Sequence, residues 1–339
     1  MTTTGHDAPR RPRLTPAMAD CRRAVDDALT THLADHSTGH LLVAVSGGAD
    51  SLALAWAAAF VGPTRGFTLE AVIIDHGLQN DSAEVAAAAE DTLTKMGVPA
   101  TIIRVGVDGS GNVEDNARTA RYQALTTHLQ DTEAVAVLLG HTLDDQAETV
   151  LLGLTRGSGP ASIRGMAAYT PPWLRPFLGI TRTTTTSCVT DAGYSYWSDP
   201  HNIDRRFVRP RIRHDLLPAL EELLGPGIPE ALAHTATLIA EDDDYLTSLA
   251  HDHLTALHTA SGMLPVAPLA GLPSPIRRRV LRAWVKGEAG ASLTMAQTQM
   301  VDALVVAWKG QGPVDIPGAT LRRQEGFLLI ERPTPQAED

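Results

Sequence analysis

The chain has 339 residues, a formal net charge of −11, and 43% hydrophobic but only 4% aromatic side chains, which is material for two or three domains. No apolar run approaches the length of a membrane span, and the polar start (Thr2, Arg10, Arg11, Pro12, Arg13) lacks the pattern of a secretory signal. Two distant cysteines, Cys21 and Cys188, with no C-x-x-C pair, exclude a zinc ribbon and a cysteine-held iron–sulfur cluster; idle thiols in the cytoplasm are expected.

Residues 1–13 are expected to form a disordered tail. Leu41 to Val45 is a short continuous apolar run, as a buried parallel strand would be, and it stops at Ser46-Gly47-Gly48. From Ser51 the pattern Leu-Ala-Leu-Ala-Trp-Ala-Ala-Ala is helix-forming. Strand, glycine turn and helix together aim backbone N–H groups and the positive end of a helix dipole at one point, an anion site. A lone Gly-Gly after a strand is an ordinary turn, but the six residues Ser46, Gly47, Gly48, Ala49, Asp50 and Ser51 in this context read as a phosphate loop. Asp50 would repel phosphate unless a Mg²⁺ ion lies between them, so it is the expected metal ligand. No Gly-Lys dipeptide occurs, so a Walker A lysine is absent. Lys95, Lys286 and Lys309 are the only lysines, and none has the Lys-x-Asp-Gly context of a lysyl-AMP ligase.

Further strands are expected at 68–74, 101–107 and 134–139, with helices at about 81–96, 113–129 and 144–154. Strands alternating with helices imply a parallel sheet with right-handed crossovers, and ligands beyond the carboxyl ends of its strands. Those ends are Ser46-Gly47-Gly48, Asp75-His76, the loop at 108–112 and Gly140-His141. A fifth strand is expected at 173–177, then a Thr-rich helix near 181–193, an irregular stretch to 209 and one helix from Arg211 to Leu224 with Leu216, Leu217 and Leu220 buried. Gly225-Pro226-Gly227 is a candidate boundary. A long helix at 229–258, a proline-punctuated linker (Pro265, Pro268, Pro273), helices at about 275–286 and 294–309, and a β meander at 313–330 complete the chain.

Charge is unevenly distributed. Residues 70–148 hold 14 acidic and 4 basic side chains, whereas residues 200–214 hold Arg205, Arg206, Arg209, Arg211 and Arg213 against Asp204 alone. The second stretch is either a solvated helix face or a basic stripe for RNA phosphate; Arg277–Arg279 with Arg282 are the alternative surface. In Gly140–Thr149, Asp145 and Glu148 share a helix face beside His141, suited to a metal or a cationic substrate. In Asn112–Tyr122, Arg118 and Arg121 are spaced to pair with Glu114 and Asp115, or to neutralise an α-phosphate.

The Ser46–Ser51 segment resembles the PP-loop of the N-type ATP pyrophosphatases. Together with Val72–Leu78, Asn112–Tyr122, Gly140–Thr149, Arg156–Gly159, Pro176–Leu178 and Asp199–Asn202 through Arg211–His214, it resembles the tRNA(Ile)-lysidine synthase family over residues 40–220. His201 and Pro210 depart from the family pattern and leave local tRNA contacts there open. The resemblance implies an α/β fold: a Rossmann-like, parallel-sheet PP-loop ATP pyrophosphatase domain over 14–224. A helical region and a small α+β tRNA-binding domain follow over 225–339, and the further domain of longer members is expected to be absent. It implies ATP and Mg²⁺ as cofactors, with Ser46–Ser51, Asp75, His76 and Gly140 binding nucleotide. Asp50, Arg118, His141, Asp145 and Glu148 would be catalytic. Asp115, Asp145 and Glu148 would bind substrate L-lysine, and the five arginines at 205–213 the tRNA(Ile) with anticodon CAU. No membrane partner is implied, and a homodimer is left open. The implied reaction adenylates O2 of the wobble cytidine, releases pyrophosphate, and lets the lysine ε-amine displace AMP at C2. A tRNA thiolase and a non-catalytic RNA-binding module are the alternatives; the first lacks cysteines near the motifs, and the intact loop opposes the second.

Overall fold

The computed structural model describes residues 14–77, 81–106, 113–157, 159–257 and 262–332. The expected tail at 1–13, the loop at 108–112 and the side chain of Glu114 lie outside them. The chain forms two compact units, one of residues up to 155 with 165–236, the other of 156–164 with 237 onward. Gly225-Pro226-Gly227 thus lies inside the first unit, and the division falls within a long helix.

In the first unit the elements run α1 (Pro16–His32), β1 (Gly39–Val45), α2 (Ala49–Thr64), β2 (Phe67–Asp75), α3 (Ser82–Met96), β3 (Ala100–Arg104), α4 (Val113–Asp131), β4 (Ala136–Leu139) and α5 (Leu143–Arg156). After the short α6 (Pro160–Ile163), which belongs to the second unit, come β5 (Tyr169–Thr170), β6 (Trp173–Leu174), α7 (Arg182–Asp191), α8 (Val208–Arg211) and α9 (Leu217–Leu224). The sheet order is β3-β2-β1-β4-β6-β5, parallel except for β5 against β6. Leu41, Leu42 and Val43 of β1 are buried, as expected for a central parallel strand covered on both faces. The strand expected at 173–177 is shorter, ending at Leu174, and it pairs with β5 as a hairpin.

Helix α1 has no counterpart in the sequence reading. Thr15 accepts the Met18 N–H and Pro16 opens the first turn, which are ordinary start signals. Met18, Cys21, Val25 and Leu29 form its buried stripe. Charged residues between them (Arg22, Arg23, Asp26, Asp27) mask that stripe in a run of sequence. The single helix expected over 211–224 is interrupted by a π turn at Ile212–Leu216. The wider turn shifts the helical phase, so Leu216 is exposed while Leu217 remains buried.

In the second unit, α10 (Ile228–Leu257, which begins in the first) is followed by β7 (Leu264–Pro265), α11 (Val266–Ala270), α12 (Ser274–Ala289), α13 (Met295–Val306), β8 (Val314–Ile316), β9 (Ala319–Gln324) and β10 (Phe327–Glu331). The expected linker at 265–273 is therefore a strand and a short helix. Strands in order β7-β10-β9-β8 are antiparallel and share a core of Val280, Leu281, Trp284, Leu304, Leu321 and Leu328. Among the described residues no helix is long and apolar enough to cross a membrane.

Candidate active site

Strand order reverses beside β1, because its chain successor β2 lies on one side and β4 on the other. That reversal opens a crevice past the carboxyl ends of β1 and β4. Ser46-Gly47-Gly48 leaves β1 into α2 at this point, and Gly140-His141 leaves β4 toward α5. Gly47 has φ +83°, a conformation that glycine adopts without strain, and its carbonyl accepts the Trp197 N–H at 2.9 Å. A Cβ on Gly140 would lie 3.2 Å from the Asp50 backbone carbonyl, so the absent side chain lets β4 approach the start of α2. Ser51 shapes the loop: its hydroxyl accepts the Ser46 N–H at 3.2 Å and donates to the Gly48 carbonyl at 3.0 Å. The Ser46 side chain stays exposed.

The acidic half of the site is organised by Arg182, the first residue of α7. Its guanidinium reaches Asp145 Oδ1 at 2.7 Å, Asp50 Oδ2 at 3.3 Å and Glu148 Oε1 at 3.9 Å, and its backbone N–H donates to Asp144 Oδ2 at 2.8 Å. Thr185, one turn along, donates to Asp50 Oδ1. Arg213 adds a second cation, with Nη2 2.6 Å from Glu148 Oε1 and 3.4 Å from Asp145 Oδ1. Asp145 also completes the first turn of α5, accepting the Thr142 N–H on Oδ2 at 2.9 Å. Burial pushes the Asp50 and Glu148 carboxyls up against the pull of these arginines. At Asp145 burial opposes ionisation too, yet Arg182 and the Thr142 N–H win and hold it below the usual range. Glu148 is completely buried, and its Oε2 has no hydrogen-bond partner among the described residues, although Arg209 Nη1 lies 3.6 Å away.

The other half is cationic. His76 Nδ1, Arg121 Nε, His141 Nδ1 and Arg175 Nε are buried without a hydrogen-bond partner among the described residues. Burial, reinforced by Arg175, Arg121 and Arg118 and opposed by Asp145, pushes His141 down to about 4. Burial and Arg121 lower His76 as well. Arg118 is exposed and lies over the Tyr122 ring at 4.9 Å, while Tyr122 meets Trp173 edge-on at 4.8 Å. Arg118 and Tyr122 line a cavity of about 500 Å³ along α4 with Thr119, Gln123, Thr126 and Thr127. Arg175 Nη1 donates to the Ala167 carbonyl at 2.9 Å and Arg121 lies 5.5 Å from the Tyr122 ring, but neutral imidazoles beside guanidiniums whose Nε atoms are unpartnered suit an incoming anion.

Other expected residues have different settings. Asp75 is buried and engaged: Oδ1 accepts the Gly77 N–H at 3.0 Å and Oδ2 pairs with Arg104 Nε at 3.1 Å, which holds its pKa down. Asp115 lies exposed on the first turn of α4. Among the described residues, no three His, Cys, Asp or Glu side chains are grouped to hold a metal. Asp50 offers one carboxylate, a donor that suits Mg²⁺ completed by phosphate oxygens and water. In the arginine stripe, Arg213 is taken by Glu148, Arg206 pairs with Asp204 at 2.6 Å and Arg205 with Asp215 at 3.1 Å. Arg211 is exposed. The alternative surface is also occupied: Arg277 and Arg278 bind Asp302 at 2.6 and 3.0 Å, and Arg279 binds Asp243 at 2.6 Å.

Residues 22–220 match a family model described as PP-loop domain, and 264–329 match one described as TilS substrate binding domain. A tRNA(Ile)-lysidine synthase of Mycolicibacterium paratuberculosis is 50% identical over 319 residues, covering 90% of this chain and 97% of that protein. This chain belongs to the tRNA(Ile)-lysidine synthase family. A lysidine synthase of Thermobifida fusca is 46% identical over 320 residues, covering 93% of this chain and 98% of that one. Members of this family are ATP-dependent ligases, and the chain is an enzyme of that class. A U34-tRNA thiolase from Methanococcus maripaludis, solved with its 4Fe-4S cluster, superposes with a TM-score of 0.57 at 17% identity, over 66% of this chain and 80% of that one. That likeness concerns the PP-loop fold. Both cysteines of this chain are buried and free of a disulfide.

Arg182, Thr185 and Arg175 were not singled out in the sequence. Arg182 and Thr185 sit in a Thr-rich run with no spacing signal, and their role depends on α7 packing against α2 across 132 and 135 residues of chain. Arg175 follows the short strand β6; its place beside the end of β4 was the available clue.

Proposed function

We propose that this chain joins L-lysine to C2 of the wobble cytidine in CAU-anticodon tRNA(Ile), through an adenylated tRNA. The supporting observation is the division of one sheet edge into a cationic half (Arg121, Arg175, His76, His141) and an acidic half (Asp50, Asp145, Glu148). Cytidine O2 attacks the α-phosphorus of ATP and pyrophosphate leaves; the loop N–H groups of 47–49 hold the departing phosphates. The cationic half meets the charge that develops on the α-phosphate. His141, neutral at pH 7, can donate or accept a hydrogen bond there. Adenylation turns a poor leaving oxygen into AMP. The ε-ammonium of lysine is held by Asp145 and Glu148, loses a proton, and the free amine attacks C2 as AMP departs with O2. Glu148, whose affinity for a proton is raised by burial, is the better acceptor of the two. Asp50 would hold Mg²⁺, which supplies positive charge to the phosphates when bound.

We further infer that the enzyme works in the cytoplasm, a compartment suited to two unpaired thiols. The test is incubation with ATP, radiolabelled lysine and a CAU-anticodon tRNA(Ile) transcript. Lysine in the tRNA with AMP and pyrophosphate supports the reading. ADP as product, or sulfur rather than lysine incorporation, overturns it.

A further inference from the structure

The segment from Trp197 to Arg213 lies wholly in the first unit and is tied to both halves of the candidate site. At its start the Trp197 N–H donates to the Gly47 carbonyl of the phosphate loop at 2.9 Å. At its end Arg213 grips Glu148 at 2.6 Å, and Arg209 Nη1 lies 3.6 Å from the other Glu148 oxygen. The residues between these anchors run beside the crevice that the wobble cytidine must enter.

Short-range bonds fold this stretch. Asp199 caps a 3₁₀ turn at Pro200–Ile203 and accepts the His201 N–H at 2.9 Å. The Asp204 N–H donates to the His201 carbonyl at 3.2 Å, and the Phe207 N–H to the Asp204 carbonyl at 3.2 Å. These turns bring the His201 and Phe207 rings edge to face, with centroids 6.0 Å apart. The neighbouring Ile203 and Val208 stand 68% and 56% exposed, and among the described residues neither joins a hydrophobic core. Interleaved with them, Arg205, Arg206, Arg209 and Arg211 are exposed. Rings and aliphatic side chains interleaved with arginines suit single-stranded RNA, whose unpaired bases stack on apolar faces while guanidiniums meet the phosphates. A second copy of this chain seated on the same face would bring like cations together.

We propose that the exposed face of 201–208 seats the adenine and uracil that follow the wobble cytidine in the CAU anticodon. This rests on the function proposed above. A cytidine drawn into the crevice leaves its two anticodon neighbours without their stacking partner, and they need a surface just outside it. A chain that reads all three bases of CAU meets the other two there.

The experiment uses the full chain and a tRNA(Ile) transcript carrying 4-thiouridine in place of the anticodon uridine. Irradiation followed by mass spectrometry of the crosslinked peptide should place the crosslink within 201–208. With unlabelled transcript, His201→Ala should weaken tRNA binding by about tenfold, the order expected for one lost stacked base. The logarithmic salt slope should not change, because no phosphate contact is removed, and ATP affinity should not move. His201→Phe, which keeps a ring, should bind nearly as the unaltered chain does. Ile203→Ser, at a position with no core contacts to lose, should weaken binding in the same sense and carries the test if His201→Ala fails to fold. The proposal is overturned if the crosslink falls outside 201–208. It is equally overturned if the folded variants bind tRNA as tightly as the unaltered chain, or if weaker binding comes with a lowered slope, which marks a phosphate contact. Intact tRNA binding by Ile203→Ser with loss of a dimer in sedimentation would overturn it too and give the face to a second copy. A chain that shows the expected binding effects but adds no lysine would remove the functional reading and leave the base seat standing.

Discussion

Arg182→Ala should unbalance the acidic half of the site, and the size of the effect can be worked from its contacts. The guanidinium lies 2.7 Å from Asp145, 3.3 Å from Asp50 and 3.9 Å from Glu148. Arg213 would remain beside Asp145 and Glu148, but Asp50 would lose the cation it pairs with. Removing one partner of a buried pair costs ~3–5 kcal/mol. Here Arg182 is 26% and Asp50 24% exposed, and Arg213 compensates in part, so ~2–3 kcal/mol is expected. At ~2–4 °C per kcal/mol for a unit of this size, Tm should fall by ~4–12 °C near neutral pH. The pH dependence is more discriminating. Asp145, held low in the folded chain, adds stability above its unfolded pKa that is lost as pH falls. Without Arg182 its pKa should rise, joining Asp50 and Glu148, whose raised pKa values mean stability present at low pH and lost as pH rises. The Tm deficit should therefore be larger at about pH 8 than at about pH 5. Thermal unfolding followed by circular dichroism at both pH values measures it, with Arg182→Lys as a partial rescue. An alanine variant with no deficit at the higher pH, or the same deficit at both, refutes the claim that Arg182 balances these carboxylates.

Asp50→Ala should lower turnover by at least roughly a hundredfold, as expected for loss of a metal-linked charge contact; near-normal pyrophosphate release would place Asp50 outside the chemistry. His141 should stay neutral across the physiological range, because burial and nearby arginines push its pKa down to about 4; an NMR titration with a midpoint near that of free histidine would contradict the burial argument. Arg211→Ala should weaken tRNA binding and lower the logarithmic salt slope by up to about 0.7, whereas Arg213→Ala, which strips Glu148 of its closest cation, should lower Tm and raise the KM for lysine. Equal salt slopes for the unaltered chain and Arg211→Ala would move the phosphate contact elsewhere.

Much of the nucleotide-binding half was legible in the residues. Ser46–Ser51, Asp145 with Glu148, and Arg118 with Arg121 sit on strand ends or helix starts, where short-range patterns carry the signal. Periods of two and 3.6, glycine turns and local charge are properties of neighbouring residues, so a sequence states them directly. The parallel sheet and the meander over 314–331 followed from them. What required the tertiary structure was pairing across distance. Arg182 holding Asp50, Gln146 holding Met166 and Arg164 holding Asp243 join residues 132, 20 and 79 positions apart. The same is true of Arg213, whose pairing with the buried Glu148 nothing in the local sequence announces. A charged side chain in sequence carries no record of its partner. Desolvation in the folded core decides which charges must pair, and it leaves only the remaining ones free to meet a ligand.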